Sequence, residues 1–387
     1  EGFASTSWET GYGDYVLRPD LATMRHIPWL EKTVLVLGDV LDHHSHEPVS
    51  HSPRAMLKKQ VARLDAMGFD AMMATELEFF LFEGDYRTLQ KQKYANLVPL
   101  NGHNEDYCLF QTTKEESFLQ PLRNHLVAAG IPIECTKGEA EVGQQELNIR
   151  YADALACADN HTISKQAIKE IAFQQGFSAS FLPKWAADKV GSSSHVHMSL
   201  WKDGTPAFYD KEAKLGMSQM MQHFMAGLIA YAPDITYFFA PYINSYKRFA
   251  KGTFAPTKTV WSVDNRTAGF RLCGDGTKGI RVECRIGGSD LNPYLAQAVL
   301  LAAGLKGIEE KLPLQEPTKG DAYEDASVTE IPRTLRAATE TLRNSAMLRQ
   351  ALGDDVVDHY TRAAEWEQEE YDKVVTDWEI NRGFERA

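Results

Sequence analysis

Polar residues stand two positions apart, with apolar residues between them, in three segments of the chain, 72–82, 194–201 and 280–285. Successive side chains of a β-strand point to opposite faces, so this alternation predicts strands with one polar and one apolar face. The polar members are Glu76 and Glu78; His195, His197 and Ser199; and Arg281, Glu283 and Arg285. Residues 72–82 alone would favour an edge strand with a solvated acidic face. Three such strands instead favour one polar cavity walled by a sheet.

Helical periodicity predicts a helix that begins after Ser52, which can cap it, with Pro53 at the first helical position. The apolar stripe of this helix is Leu57, Val61 and Leu64, and the pattern ends near Gly68. Further amphipathic helices are predicted at 114–129, 160–175, 216–231, 291–310, 333–351 and 355–378. Strands and helices alternate at irregular spacing, which predicts an α+β fold rather than a regular βαβ series.

Length and composition favour a protein of about two domains and argue against a nucleic-acid-binding or membrane-binding protein. The chain has 387 residues, enough for about two domains, and its formal net charge of -12 opposes binding to nucleic acid or anionic lipid. Neither a long apolar stretch nor a leader-like basic and apolar start is found, so we expect a soluble, cytoplasmic protein. The five cysteines form no CxxC pair, which predicts reduced and mostly buried thiols.

The start of the chain predicts an incomplete first domain. It begins without methionine in Gly/Ser/Thr-rich sequence, so we expect that preceding residues are absent. Residues 33–42 read as a short buried strand, and the His/Ser/Pro-rich residues 43–53 read as a linker. We therefore divide the chain into 1–45, a small remnant, and 46–387, the catalytic part.

The polar strand faces predict metal-dependent phosphate chemistry. Carboxylates with one imidazole and no thiolate suit Mg²⁺ or Mn²⁺, whose remaining ligands phosphates supply. Planar guanidinium groups for phosphate and carboxylate oxygens are available at Arg248, Arg266, Arg271, Arg281 and Arg285. No GxxxxGK[ST] loop occurs, and GDGTKG at 274–279 is better read as an ordinary turn. The nucleotide must therefore be held by a fold without a P-loop.

Six motifs, in order and over nearly the whole chain, resemble the glutamine synthetase family. They are ELEFFLF at 76–82, EAEVGQQE at 139–146, SHVHMSLW at 194–201, NSYKR at 244–248, APTKTVWSVDNRTAGFR at 255–271 and KGIRVECR at 278–285. The resemblance implies that family's catalytic fold, a curved and mainly antiparallel sheet flanked by helices, with residues 1–45 as part of an N-terminal β-grasp domain. It also implies ATP as cosubstrate and two or three Mg²⁺ or Mn²⁺ ions in each active site.

The resemblance assigns roles residue by residue. One metal ion would be held by Glu78, Glu139 and Glu146, and a second by Glu76, His195 and Glu283. The nucleotide would meet Glu134, His197, Ser199, Arg271, Lys278 and Arg281. Glutamate would be held by Gly191, Arg248 and Arg285, and catalysis would involve Arg266, Glu139 and Glu1. In this scheme Arg266 stabilises the transferred phosphoryl group, and Glu1 stands at the position of the base that deprotonates the nucleophile.

The implied reaction has two steps: the γ-carboxylate of glutamate attacks ATP to give γ-glutamyl phosphate, and an amine then displaces phosphate. Phe254 stands where ammonia-using members carry a flap glutamate, and a phenyl ring offers apolar area instead of charge. Asp14 and Tyr107 fall near other expected positions of the amine site. Val190 also replaces a usual asparagine, and the adenylylation motif is not clearly reproduced around Tyr323.

Three functions remain open at this point. The leading one is ligation of L-glutamate to a primary organic amine, as in the glutamate–amine ligase branch of the family. A true glutamine synthetase that uses ammonia is the alternative, and a non-catalytic structural relative is a remote one. The sequence leaves open whether the amine is an alkylamine, aniline, ethanolamine or a polyamine. The resemblance also implies a homo-oligomer of two stacked six-membered rings, a dodecamer, with no nucleic acid or membrane partner.

Overall fold

The computed structural model describes residues 2–325 and 328–386, and its centre is one large β-sheet with helices packed against it. The described strands are β1 (Gly2–Phe3), β2 (Thr6–Ser7), β3 (Tyr15–Pro19), β4 (Arg25–His26), β5 (Val34–Leu35), β6 (Gly38–Asp42), β7 (Asp70–Glu83), β8 (Ile133–Gly138), β9 (Gln144–Ile149), β10 (Ala152–Asp153), β11 (Phe177–Ser180), β12 (Ser194–Lys202), β13 (Thr205–Pro206), β14 (Trp261–Val263), β15 (Phe270–Cys273) and β16 (Arg281–Cys284). The described helices are α1 (Pro53–Ala66), α2 (Tyr86–Lys91), α3 (Leu109–Thr113), α4 (Glu116–Ala128), α5 (Ala154–Gln174), α6 (Gln219–Ile235), α7 (Pro293–Glu310), α8 (Leu335–Asn344), α9 (Ala346–Leu352), α10 (Asp354–Asp372) and α11 (Asp377–Gly383). Short 3₁₀ turns include Ile243–Arg248 and Ala322–Glu324.

Ten strands form the central sheet, in which β14, β15, β16, β12, β7, β9 and β8 lie side by side in that order. Strands β10 and β11 also pair with β7, and β13 pairs with β12. Among the described pairs of this sheet only β14 and β15 run parallel, and the short connection 264–269 joins them. The largely antiparallel sheet with flanking helices confirms the predicted α+β class.

The apolar faces of the predicted strands are buried. Leu77, Phe79 and Leu81 of β7 pack in a core that includes residues of α4 and α5. Val196 and Met198 of β12 pack in a second core, to which the almost completely buried helix α7 contributes most of its length. Because helices cover these faces, the polar residues of the same strands lie together on the opposite face of the sheet.

The predicted helix after Ser52 is α1, which starts at Pro53. Ser52 occupies the cap position, but its side chain makes no capping hydrogen bond. Leu57 and Leu64 are buried, and the turn after the helix closes at Gly68, whose φ is +78°. Helices α4, α6 and α7 correspond to three further predicted helices. None of the helices in the described ranges is long and apolar enough to cross a membrane.

Two predicted helices were wrong as single elements. Residues 333–351 form α8 and α9, separated by Ser345, whose backbone is extended and whose hydroxyl caps α9. Residues 355–378 contain α10 and the start of α11, which opens with a capping box between Thr376 and Glu379. In both places a hydroxyl side chain satisfies free amides of the following helix, and a new helix begins there.

Three other boundaries also differ from the prediction. The prediction of one buried strand at 33–42 was wrong, because the chain forms β5 and β6, and Val34 is 58% exposed while Leu41 is buried. The predicted linker at 43–53 folds back onto β6 through a bridge between Leu41 and Pro48. The predicted helix at 160–175 is the end of α5, which begins at Ala154.

A buried arginine of α1 ties the two-stranded sheet of β3 and β6 to the rest of the molecule. The guanidinium group of Arg54 pairs with Asp20 at 2.9 Å, with Asp39 at 2.8 Å and with Asp159 of α5 at 3.1 Å. Asp39 also accepts from Lys58 at 2.7 Å. The assignment of residues 1–45 to an N-terminal β-grasp remnant stays a prediction.

We expect Arg54→Met to lower the free energy of unfolding by about 3–5 kcal/mol, because it leaves three carboxylates without their shared cation. Urea unfolding followed by circular dichroism measures the change. The matched control is Arg362→Ala, which removes a partly exposed pair with Glu369 on α10 and should cost less than about 1 kcal/mol. Equal losses in the two variants would contradict a central role for Arg54.

Candidate active site

Cross-strand pairing brings the predicted site residues onto one face of the central sheet. Directly opposed residues on neighbouring strands place their side chains within reach of each other. The opposed pairs are Glu76 with His195, Glu78 with Glu146, His197 with Glu283, and Arg271 with Glu283. Five adjacent strands, from β15 to β9, therefore contribute to one charged surface.

The triad Glu76, His195 and Glu283 is compact. Nδ1 of His195 lies 3.0 Å from Oε2 of Glu76 and 3.4 Å from Oε1 of Glu283. Possible ligand atoms of all three residues lie within 4.8 Å of one another. Nε2 of His195 is buried and has no hydrogen-bond partner among the described residues. Burial and the nearby Arg285 lower the pKa of His195 to about 4, so the imidazole is neutral and can donate a lone pair to a metal ion.

The possible ligand atoms of Glu78, Glu139 and Glu146 lie farther apart than those of the first triad, but the three carboxylates repel one another strongly. Burial and the charge of Glu139 raise the pKa of Glu78 to about 7. Burial, with the charges of Glu76, Glu78 and Glu139, raises the pKa of Glu146 to about 9. Glu139 is paired with Lys137 at 2.5 Å, and in the described part of the chain the ligand atoms of this triad do not all lie within 4.8 Å.

The donor set fits divalent metal ions that prefer oxygen ligands. Buried carboxylates with raised pKa values repel one another, and a bound cation relieves this repulsion. Cys273 does not change this picture, because burial and Glu283 raise the pKa of its thiol to about 12, and its Sγ donates to Glu283 at 3.5 Å. The residues present therefore fit Mg²⁺ or Mn²⁺ better than a thiolate-bound metal.

Arginines cover one side of this carboxylate surface. Glu283, which is fully buried, pairs with Arg285 and, at 3.0 Å, with Arg271. Burial opposes ionisation, but His195 and Arg285 lower the pKa of Glu283 to about 2 and keep it charged. Arg281 donates through Nε to Nδ1 of His197 at 3.2 Å. The arginine side chains thus lie beside the carboxylates, so that phosphate oxygens could bind the arginines and the metal ions that the carboxylates would hold.

Arg248 is held rigidly at the edge of the same surface. The residue is 1% exposed, and its guanidinium group donates to Ile286 O at 2.9 Å and to Oγ of Ser193 at 2.6 Å. Gln144, which the sequence analysis missed, donates through Nε2 to Glu78 at 3.2 Å and to Gly191 O at 3.1 Å. Its position inside the motif EAEVGQQE was an available signal.

Gly191 packs against Arg248 with no room for a side chain. A Cβ atom built at Gly191 lies 2.5 Å from Pro183 O and 2.8 Å from Cγ of Arg248. Backbone and a buried guanidinium group thus meet at this glycine, which is why a residue with a side chain is excluded.

We expect Gly191→Ala to raise KM for glutamate by at least about tenfold, because the new methyl group displaces Arg248. KM for ATP should change less than about twofold, and steady-state kinetics with each substrate varied would show the difference. Gly102→Ala is the control, since a Cβ there meets nothing within 4 Å. Equal effects on both KM values would mean that Gly191 does not act at the glutamate side.

Several predicted site residues lie at the rim rather than in the carboxylate surface. Glu134 on β8 is exposed, and so are Arg266 and Lys278, which lie in turns next to β15 and β16. Ser199 accepts from Nε1 of Trp201 at 2.9 Å. Tyr107 and Asp14 are exposed loop residues, and Nζ of Lys137 lies 5.4 Å from the Tyr107 ring centroid. Glu1 lies outside the described residues.

The loop that carries Phe254 is tied to the segment before α8. Phe249 O accepts from Arg333 at 2.6 Å, and Lys251 pairs with Glu324. Phe254 has the left-handed φ of +55° and is 51% exposed. Tyr323 was considered in the sequence only for adenylylation, but it lies at this loop: burial raises its pKa, while Arg248 and Arg285 oppose that rise.

Comparison with known proteins agrees with this geometry. The family described as "Glutamine synthetase, catalytic domain" matches residues 50–383. The chain is 43% identical to the γ-glutamylethanolamide synthetase GlnA4 of Streptomyces coelicolor (100% of this chain, 82% of the relative) and 36% identical to the glutamate–isopropylamine ligase of a Pseudomonas species (99% and 84%). It is 38% identical to the glutamine synthetase of Thermus thermophilus (95% and 84%).

Solved structures of a related enzyme are also similar to this chain. Ligand-free GmaS superposes with a TM-score of 0.87 at 28% identity, over 96% of this chain and 85% of GmaS. GmaS in complex with ADP gives the same TM-score at 27% identity, over 96% of this chain and 86% of that one. The chain therefore belongs to the glutamine synthetase family and is an ATP-dependent ligase of its glutamate–amine ligase branch.

Proposed function

We propose that this enzyme joins the γ-carboxylate of L-glutamate to a primary organic amine, with ATP as the source of energy. The observation that carries the proposal is an acidic and arginine-rich sheet face beside a loop whose key position holds Phe254 instead of a carboxylate. Two relatives, one named for an ethanolamide product and one for ligation of isopropylamine, support the same function. The products are a γ-glutamylamide, ADP and phosphate.

In the first step the protein holds ATP and glutamate in line. The residues proposed to bind the nucleotide are His197, Arg271, Arg281, Glu134, Ser199 and Lys278. Glutamate is proposed to bind to Arg248 and Arg285, beside Gly191. Mg²⁺ or Mn²⁺ ions, two or three of them held by the two carboxylate triads, would neutralise charge on the transferred phosphoryl group. Arg266 is proposed to stabilise that group from the rim. The γ-carboxylate oxygen bonds to the γ-phosphorus as the bond to ADP breaks.

In the second step the amine attacks the γ-carbonyl carbon, phosphate leaves, and the amine loses a proton. Phe254 is proposed to contact the carbon body of the amine, where apolar burial favours it over ammonium. Tyr107 and Asp14 are proposed to complete the amine side, and Glu1 to accept the proton, with Glu139 assisting catalysis. These assignments follow the family positions of the residues.

The assembly and the location of the enzyme are also proposals. We propose a dodecamer of two hexameric rings, in the cytoplasm, where ATP and glutamate are available. Sedimentation of the purified protein tests the assembly. A fully active monomer would contradict the ring model, because it would show that no residue from a neighbour completes the site.

A phosphate-release assay over a panel of amines tests the proposed function. With ATP, Mg²⁺ and glutamate held constant, we expect ethanolamine, isopropylamine, putrescine or aniline to exceed ammonium in kcat/KM by at least about tenfold. Mass spectrometry should identify the γ-glutamylamide in the same reactions. The Thermus relative makes glutamine synthetase the second candidate, and ammonium as the best nucleophile would establish it. If phosphate release were the same with every amine, with ammonium and without a nucleophile, both the amine-ligase and the glutamine synthetase functions would be contradicted.

A further inference from the structure

A second cavity lies between α10, the start of α7 and residues 237–242, and no carboxylate of the two triads lines it. Its volume is about 550 Å³. Six aromatic side chains line it: Phe3, Tyr237, Phe238, Tyr242, Tyr360 and Trp366. Tyr237, Phe238 and Tyr360 pack against one another with ring centroids 5.3–6.4 Å apart, so this part of the wall is preformed. Small-molecule sites in proteins are concave and aromatic in this way.

Two carboxylates, Asp290 and Glu367, interrupt the aromatic wall. Neither forms an ion pair within 4.0 Å with any described cationic side chain. Oδ2 of Asp290 accepts from Ser245 at 2.5 Å, whereas its Oδ1 is buried and has no hydrogen-bond partner among the described residues. A buried carboxylate oxygen without a partner is costly, and a bound cation offsets that cost.

The cationic side chains near this cavity form hydrogen bonds or ion pairs with groups other than Asp290 and Glu367. Lys165 acts on Asp290 by its charge, but its Nζ donates to Ser289 O at 2.6 Å and does not line this cavity. The one arginine among the described lining residues, Arg362, pairs with Glu369 at 2.8 Å. The charges that act on Asp290 from the described part of the chain therefore come from Lys165 and Arg248, which do not line the aromatic cavity, and no ion pair forms with Asp290 or Glu367 on that side.

An adjoining cavity of about 780 Å³ shares Tyr242, Asp290 and Glu367 with the first. Lys165, Lys169 and Lys247 line this larger cavity, but no lysine is among the described lining residues of the aromatic one. The two cavities thus differ in charge on either side of Asp290. A cationic ligand should prefer the aromatic side, since aromatic faces attract ammonium groups and lysines repel them.

We propose that the aromatic cavity is a binding site for a small organic ammonium ion, separate from the amine subsite at Phe254. The ammonium group lies near Asp290 and Glu367, and its alkyl groups contact the rings of Tyr242, Tyr360 and Trp366. The ligand class follows from the combination of aromatic walls with a buried carboxylate oxygen of Asp290 that has no hydrogen-bond partner among the described residues, as in other sites that recognise quaternary or alkylated ammonium groups. This proposal does not depend on the reaction that the enzyme catalyses.

Choline is a suitable probe because its quaternary nitrogen cannot act as a nucleophile for ligation. Isothermal titration calorimetry of the assembled protein, without ATP or glutamate, should show one saturable site per chain. The neutral isostere 3,3-dimethylbutan-1-ol should bind at least about tenfold more weakly, because it keeps the shape and loses the charge. No saturable binding, or equal binding of the two probes, would overturn the proposal.

Variants locate the bound probe. Asp290→Asn keeps an oxygen that can accept from Ser245 and should weaken choline binding by at least about tenfold. Trp366→Ala, at a half-exposed position, should do the same and covers the case in which the Asp290 variant fails to fold. Glu370→Gln on the same helix is the control and should bind normally, because Glu370 pairs with Lys373 and does not line the cavity. Unchanged binding in Trp366→Ala, or binding lost in Phe254→Ala, would contradict a site in this cavity.

Discussion

Glu283→Gln should reduce phosphate release by at least about 100-fold while the protein remains folded, because a ligand of a catalytic metal ion loses its charge. The carboxylate is fully buried and lies within hydrogen-bonding or ion-pair distance of His195, Arg271 and Arg285. Glutamine keeps the shape of the side chain, so the loss should reflect charge rather than a cavity.

Two measurements separate this explanation from general damage. Calorimetric titration with Mn²⁺ should show one fewer tightly bound ion per chain in Glu283→Gln, and circular dichroism should be unchanged. Glu316→Gln is the matched control, since that glutamate is 90% exposed. Activity above about 10% of the parent would remove Glu283 from the metal site, because loss of such a ligand costs far more than tenfold.

Phe254→Glu should raise the ratio of ammonium to amine turnover by about 10- to 100-fold, because a carboxylate attracts ammonium and the phenyl contact with the amine is lost. Phe254→Ala should weaken amine use without improving ammonium use, since it removes apolar area and adds no charge. The side chain is half exposed and belongs to a loop, so neither change should disturb a core.

Competition assays with ammonium and one good amine in the same reaction measure this ratio directly. Phe254→Leu is the control, because it keeps apolar area at the same left-handed backbone position. If the parent enzyme used ammonium as well as every amine, and Phe254→Ala were neutral, the enzyme would be a glutamine synthetase. A change in the ratio that appears equally in Phe254→Leu would point to the strained backbone rather than to the ring.

Alternation along single strands predicted which side chains share a face, but not which strands are neighbours. Glu76 and Glu78 could be placed together from 72–82 alone, because the side-chain period of a strand is two residues. The pairing of Glu78 with Glu146 depends on the register between β7 and β9, which no local pattern contains. The family resemblance supplied that information, and Gln144, which connects Glu78 to Gly191, was still missed.

The predicted helix boundaries were wrong where two helices follow each other with the same apolar pattern. Ser345 and Thr376 are acceptable residues inside a helix by propensity, and their role as caps depends on backbone angles that the sequence does not show. The exposed face of β5 was missed for a related reason. A run of apolar letters such as 33–37 does not reveal whether other elements cover it.

The parallel pair β14 and β15 has a consequence for how this enzyme can vary. Parallel neighbours normally need a long crossover, yet here the chain returns through 264–269 alone. Arg266 lies in this return, and Arg271 follows immediately on β15. A substitution in the loop changes one side chain, whereas an insertion or deletion moves Arg266 relative to Arg271, which the register of β15 and β16 holds opposite Glu283. Among homologues we therefore expect variable residue types but a constant loop length at this position.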